Sequence, residues 1–445
     1  MKQPSVMGDF LRTYCNPKMR LRFFVGFSCG IPFLLTLTIL DLWLKDIGVS
    51  NTAIGLFTLL HWPFTLKFLW APFIDKLNFP YFSKKLGRLR GWVLASQMLL
   101  FVGLIGMSCT NPQSSLPLLM FFTSLVAFAD GCQDMSLYSY QMDRTKSDSL
   151  GHIAGIVLFG YRGGMLFAKS ATLYLAHYFG WNIAYAVMAF SIFLCTILII
   201  VAKEPICTQT KKDEITIDRM VRSYDKADKS RIEFTRFIKR TMFECLVCPF
   251  VVFMKKNSDW RCIIALLMLF RAGDIVAQKM AKPFYIDLGF SLLQIANVVQ
   301  VFGTVAALVG SLVGGYLVKK NSIMPAMLYT GTVHALSCFA YVALCQTGPN
   351  TFMLYFTVFI ENISGGAMGA AFIAFLYNIC DRRYCATQYA LLWAFYDLGG
   401  IAFRIMSGAL ADMLGWTNFF LFIPLLFLPS LGLLYSMIAR EYINR

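Results

Sequence analysis

Asp130 and Asp134 stand one helical turn apart in the stretch DGCQDMSLYSYQMD (130–143). They directly follow LPLLMFFTSLVAFA, a run apolar enough to cross a bilayer. An ionisable group in that setting is costly and by default functional. Helical spacing puts Asp130, Asp134, Tyr138 and Gln141 on one face, with Gln133 beside them. Arg271, Asp274, Gln278 and Lys282 form a second stripe of the same kind. Glu361 sits beside Asn362 ahead of SGGAMGAA, and Asp41 lies in the first apolar run. Arg162 and Lys169 share another run, as do Asp397 and Arg404. A carboxylate that alternates between a dry setting and an arginine-paired one can take up and release a proton. Asp134, Asp130, Asp274 and Glu361 are therefore the proton-coupling candidates. Arg162, Arg271, Lys282, Gln133, Tyr138, Gln278, Asn362 and Asp41 are the substrate-binding candidates, with Arg162 the expected partner of a carboxylate at 130 or 134. His61 and His334 are lone histidines in apolar runs, for which simple packing is the commoner role.

These residues need elements to carry them. The chain has 445 residues, is 58% hydrophobic and only 14% charged. Water-soluble domains average about 25% charged. Repeated apolar runs of roughly 20 residues mean transmembrane helices. About twelve are expected, centred near 22–42, 52–74, 91–109, 115–140, 152–176, 181–202, 260–285, 291–318, 323–345, 351–376, 386–411 and 417–438. Turn chemistry separates them at GVSN (48–51), NPQSS (111–115) and TGPN (347–350). Pro32, Pro63, Pro72 and Pro283 allow bends inside spans.

The net charge of +16 reads as topology rather than nucleic-acid binding. Lys and Arg cluster before the first span, at 84–90, at 144–146, through 203–259, at 319–320, at 382–383 and at the end of the chain. The alternate loops carry none. That is the positive-inside pattern, and it puts both termini in the cytoplasm. Asp75, Arg88, Arg90, Asp143, Asp381 and Arg382 then fall at cytoplasmic ends, where ion pairs serve gating.

A polar stretch at 203–259 divides six spans from six. The expected organisation is a six-helix bundle over 1–202, a cytoplasmic linker over 203–259 with a surface-lying helix as one option, and a second bundle over 260–445. The halves echo one another in order: GVSNTAIGLF (48–57) with GFSLLQIANV (289–298), LFGYRGGMLF (158–167) with AFYDLGGIAF (394–403), LAHYFGW (175–181) with LADMLGW (410–416). Parallel six-helix repeats are the layout of the major facilitator superfamily, an all-α polytopic membrane fold with substrate bound near the midplane between halves. In that layout the first, fourth, seventh and tenth spans line the cavity, and each of them carries an acid here.

Other classes find little support. No phosphate-binding G-x-x-x-x-G-K-[ST] run is present, so transport must draw on a gradient or run passively. No nucleophile–base pair points to an enzyme. Cys245 and Cys248 in CLVC have a redox or metal spacing but no second pair, so buried thiols acting as small hydrophobes are expected, with no metal and no cofactor. The first apolar run is too long for a signal peptide and is expected to stay as a span. A membrane sensor would need a folded cytoplasmic module, for which 203–259 is too short and too charged.

The motifs resemble those of the AmpG muropeptide permeases of Gram-negative inner membranes. The residues that carry the resemblance are GFSCGIPFLLT (26–36), IGLFTLLHWPFTLKFLWAPFID (54–75), RLRGW (88–92) and QDMSLYSYQMD (133–143), then GYRGGML (160–166), GDIVAQKMAKPFYIDLGFS (273–291), ENISGGAMGAAFIAFL (361–376) and ATQYALLWAF (386–395). They run in order through both halves. The resemblance implies a proton-coupled importer of anhydro-muropeptides in peptidoglycan recycling, working as a monomer in the bacterial inner membrane. The partners it implies are protons, a small-molecule substrate and lipid. The sequence departs from the family pattern at Tyr138, where a second acid is common, at Asp41 and Asp130, where uncharged polar residues are expected, and at Lys279 and Lys282. These departures keep a second reading open, a divergent paralogue carrying another anion such as a nucleotide- or CoA-like compound.

Overall fold

The computed structural model describes residues 17–49, 57–77, 87–113, 115–143, 150–201 and 247–443. Most of the stretch 203–259 therefore lies outside the described residues, as do Cys245 and the side chains of Asp143 and Arg382. A chain this apolar has no partner for its backbone in hydrocarbon except itself, and helix meets that demand within one segment. Among the described residues, helical spans run over 17–46, 58–76, 88–109, 116–143, 150–179 and 181–201 in one half. They run over 260–287, 292–321, 323–347, 351–379, 385–414 and 416–443 in the other. Seven helices are long and apolar enough, by length and composition, to cross a membrane.

Among the other described spans the sixth is one continuous helix, Trp181–Val201, while others are broken, and several of the breaks are written in the sequence. Span one holds Pro32 and passes through a π-turn at Leu35–Ile39. Span two, with Pro63 and Pro72, is divided into short α and 3-10 turns. Span seven restarts after Phe270, with Arg271 preceding the helix Ala272–Asp287. Spans eleven and twelve are parted by Gly415, whose φ of 67° lies in the left-handed region.

Close backbone approach holds each half together. A Cβ added at Gly26 or Gly160 would strike the carbonyl oxygen of Val157 or Phe23, so spans one and five meet backbone to backbone. Spans eight and ten repeat this contact in the second half, where Gly310 and Gly314 lie against Ile363 and Ala367. The core of the first half gathers Ile31, Leu35, Trp43, Leu100, Leu104 and Tyr185; that of the second gathers Phe270, Phe284, Tyr341, Phe375, Phe420 and Phe427.

The two ends of the bundle differ. At the end that bears both described chain ends, the halves touch. The Asp75 carboxylate accepts hydrogen bonds from the Ala386 N–H (3.0 Å), the Thr387 N–H (2.8 Å) and the Thr387 hydroxyl (2.6 Å) across the half boundary. Gly155 of span five lies against Gly315 of span eight, where a side chain on Gly155 would meet the Ser311 carbonyl oxygen at 2.8 Å. At the opposite end two contacts, each within one half, repeat the internal echo of the sequence. Trp181 donates its indole N–H to Asp46 (2.7 Å), and Trp416 donates to Asp287 (3.1 Å).

Candidate functional site

Between the halves lies an inner cavity of about 330 Å³. Its wall takes residues from spans one, two, four, five, seven, ten and eleven, which include the four spans singled out by their acids. An outer cavity of about 1140 Å³ lies on the side away from the chain ends, between spans five and eight. Arg162, Met165, Gln278 and Asn362 line both, so the two spaces share a throat.

Span four is an unbroken helix from Leu116 to Asp143, so its periodicity survives intact. Asp130, Asp134 and Tyr138 all face the inner cavity. Asp134 forms a buried ion pair with Lys67. Tyr138 stacks on Tyr389 of span eleven at 4.2 Å between ring centroids. Gln133 faces away and donates from Nε2 to the Ser28 carbonyl (2.9 Å), tying span four to span one.

Span seven restarts just before its acid, which places Asp274 in the first turn of the new helix. A carboxylate is favoured there by the helix dipole and its unpaired N–H groups. Asp274 Oδ2 accepts from Arg271 Nε (2.6 Å). Its Oδ1 accepts from Gln278 Nε2 (2.7 Å) and lies 3.0 Å from His334 Nε2. The other ring nitrogen of His334 is 2.9 Å from the Ser364 hydroxyl, and Arg271 also donates to the Tyr396 hydroxyl. Glu361 Oε2 accepts from Asn362 Nδ2 (2.6 Å).

Of the residues singled out from sequence, Asp130, Asp134, Tyr138, Arg162, Arg271, Asp274, Gln278, Glu361 and Asn362 line the inner cavity. Lys282 lines the outer one, with Lys169 and His177. Asp41 and Gln133 line neither. Arg162 was expected to pair with a span-four acid. Instead Lys67 holds Asp134, and Arg162 lies with Arg271, Asp274 and Glu361 as its charged neighbours. The reason is reach: Arg162 points toward Gly369 of span ten, with Nη2 3.9 Å from where a Cβ would stand.

Three features escaped the sequence reading. Lys67 is a lone cation inside an apolar run, a signal of the same kind as the acids. Span eleven contributes the rings of Tyr389, Trp393 and Tyr396 to the wall, beside Asp397, which the sequence had marked. His334 is no packing histidine, since both ring nitrogens have partners. His61 fits the packing expectation better: its Nδ1 lies 3.4 Å from the Thr36 hydroxyl and its ring lies on Phe64.

The gating candidates lie at the closed end. Asp75 bridges the halves, buried, with Arg88 adding positive charge nearby. Arg90 is buried. Asp381 accepts from the Arg383 N–H (2.9 Å) and so caps its own short turn rather than crossing the boundary. Among the described residues there is no group of three or more His, Cys, Asp or Glu placed to hold a metal ion.

Residues 22–403 match the family model described as "Major Facilitator Superfamily". The protein named AmpG 1 of Rickettsia bellii (strain RML369-C) is 30% identical over 91% of this chain and 94% of its own length. The anhydromuropeptide permease of Escherichia coli (strain K12) is 30% identical over 97% of this chain and 82% of its own length. Among solved structures, the proton:xylose symporter XylE bound to 6-bromo-6-deoxy-D-glucose aligns with a TM-score of 0.64 at 13% identity, covering 96% of each chain. The transporter FucP in its outward conformation aligns at 0.65 and 13%, covering 96% of this chain and 99% of that one. At that identity the likeness speaks for the fold.

Proposed function

This chain belongs to the Major Facilitator Superfamily and, within it, to the AmpG transporters, and from that premise we propose that it imports anhydro-muropeptides driven by protons. As a multi-pass membrane protein of this family it works in the bacterial inner membrane. In our reading its termini are cytoplasmic, as the basic loops argue, and one chain suffices for transport. The outer cavity then faces the periplasm, and the state described is the one that receives substrate.

The observation that carries the reading is a cavity closed at one end by Asp75 and continuous at the other with a wide mouth. Its walls suit the proposed ligand. Rings of Tyr389, Trp393 and Tyr396 offer flat apolar faces for sugars. Arg162 offers a fork for a peptide carboxylate, and Arg271, itself held by Asp274 and Tyr396, adds positive charge to the same wall. Gln278 and Asn362 offer hydrogen bonds at the throat. The outer mouth, lined by Lys169 and Lys282 with no carboxylate among the described residues, draws an anion inward. In this assignment Asp134, Asp130 and Glu361 form the proton-responsive set, Asp274 is held in place by Arg271, Gln278 and His334, and Asp75 with Arg88 and Arg90 forms the inner gate.

The test is uptake of labelled anhydro-muropeptide into proteoliposomes with and without an imposed pH gradient. Accumulation above equilibrium only with the gradient is expected. A well-folded preparation that takes up none would remove muropeptides as the substrate, and anionic metabolites would be screened next.

A further inference from the structure

Three basic side chains, Lys67, Arg162 and Arg271, share the inner cavity wall with five carboxylates, Asp130, Asp134, Asp274, Glu361 and Asp397. Lys67 has two of those carboxylates to serve. Asp134 takes the ion pair, and Asp130 Oδ2 is left buried without a hydrogen-bond partner among the described residues. The groups acting on Asp130 are Lys67 from span two, Asp134 and Cys132 from its own span, Cys29 from span one and Tyr161 from span five. One cation between two buried carboxylates leaves one negative charge over. An uncompensated buried charge is strongly unfavourable. A proton on Asp130 removes it.

Lys67 is also held in an unusual way. Its ammonium lies 4.4 Å from the ring centre of Phe64 in its own span. It lies 5.7 Å from Tyr389 and 5.6 Å from Trp393, both on span eleven of the opposite half. His61 of span two and Asp397 of span eleven complete its charged surroundings. A cation carried by one half is thus caged by rings of the other, and the same two spans meet again where Asp75 accepts from Ala386.

We infer that Lys67 is a positioning residue that couples proton loading at Asp130 to closure of the two halves. The inference rests on the proton-driven transport reading above. While span eleven lies against span two, Lys67 stays on Asp134 and Asp130 carries the proton. When the halves part at the end bearing the chain termini, Tyr389 and Trp393 withdraw and the ammonium is free to swing between the two carboxylates. Asp130 then gives its proton to water entering from that end. Substrate and proton leave on the same side.

The experiment uses the purified full-length chain without substrate. Spin labels are placed at Tyr178 and Val301, exposed positions that flank the outer cavity. The distance distribution is expected to shift between acid and alkaline pH. Asp130→Asn should lose the shift, Asp130→Glu should keep it, and Lys67→Met should move its midpoint to higher pH because the competing cation is gone. A wild-type distribution indifferent to pH would overturn the inference, as would an Asp130→Asn protein that shifts like wild type. If Asp130→Asn does not fold, an unchanged midpoint in Lys67→Met overturns it equally. Because no substrate is present, an intact pH shift alongside failed muropeptide uptake would sink the substrate assignment and leave the role of Lys67 standing.

Discussion

The acid of span seven and the acids of span four face the same cavity but are held in opposite ways. Asp274 is saturated: Arg271, Gln278 and His334 occupy both its oxygens, and two of these partners come from its own span. Moving a proton there means breaking several bonds at once. Among the described residues Asp134 has Lys67 alone, a partner from another span whose own cage reaches across the half boundary, and Asp130 keeps an unpartnered oxygen. We propose that the first arrangement acts as a strut and the second as a movable part. One cavity can therefore hold carboxylates whose similar sequence settings conceal different mechanical roles.

The comparison can be broken most forcefully at the strut. Asp274→Asn should leave Arg271 without its carboxylate and cost about 3 kcal/mol, the lower end of the penalty for breaking a buried pair, because the arginine side chain is 31% exposed. Thermal unfolding of the purified protein should show a large drop in midpoint, far beyond that of Asp134→Asn, whose Lys67 can turn to Asp130. Equal losses from the two variants would erase the distinction. The next effect in size is at the inner gate. Asp75→Ala removes three accepted hydrogen bonds between the halves and should weaken closure by roughly 1–3 kcal/mol. Accessibility of a cysteine introduced near Gly155 should rise, and no change would mean that spans five and eight alone keep that end shut. The smallest effect tests the symmetry of the halves. Trp181→Phe and Trp416→Phe each remove one exposed hydrogen bond to an aspartate, worth about 0.5–1.5 kcal/mol. Nearly equal shifts in unfolding midpoint are expected. A clear inequality would show that the two matching contacts have diverged in weight.

Much of this molecule was legible before any coordinates. Hydropathy located the spans, and the echo of LAHYFGW in LADMLGW foretold two matched tryptophans that make the same bond in each half. The periodicity of span four put Asp130, Asp134 and Tyr138 on one face, and an unbroken helix kept them there. Where the helix is irregular the reading failed. Lys67 lies in a 3-10 turn of a span with two prolines, so no regular period could aim it at Asp134. Gln133 shares the neighbourhood of the polar stripe but turns to span one, because a one-residue step rotates a helical side chain by roughly 100°.

The sequence by itself determined what must be buried in lipid, about how many spans that requires, and which spans carry charge at a cost in lipid. Those are local properties, set by composition over some twenty residues. Which charges meet was decided only in three dimensions. Lys67 finds Asp134, His334 finds Asp274, and Asp75 finds Thr387 across separations of 67, 60 and 312 residues. Such pairings depend on how helices rotate and pack against one another, and no one-dimensional pattern contains those angles. The same holds for the closed end and the open end. Asp75 meets Ala386 and Thr387 at one end and Lys169 and Lys282 line a wide mouth at the other, a difference that lies in how the helices pack.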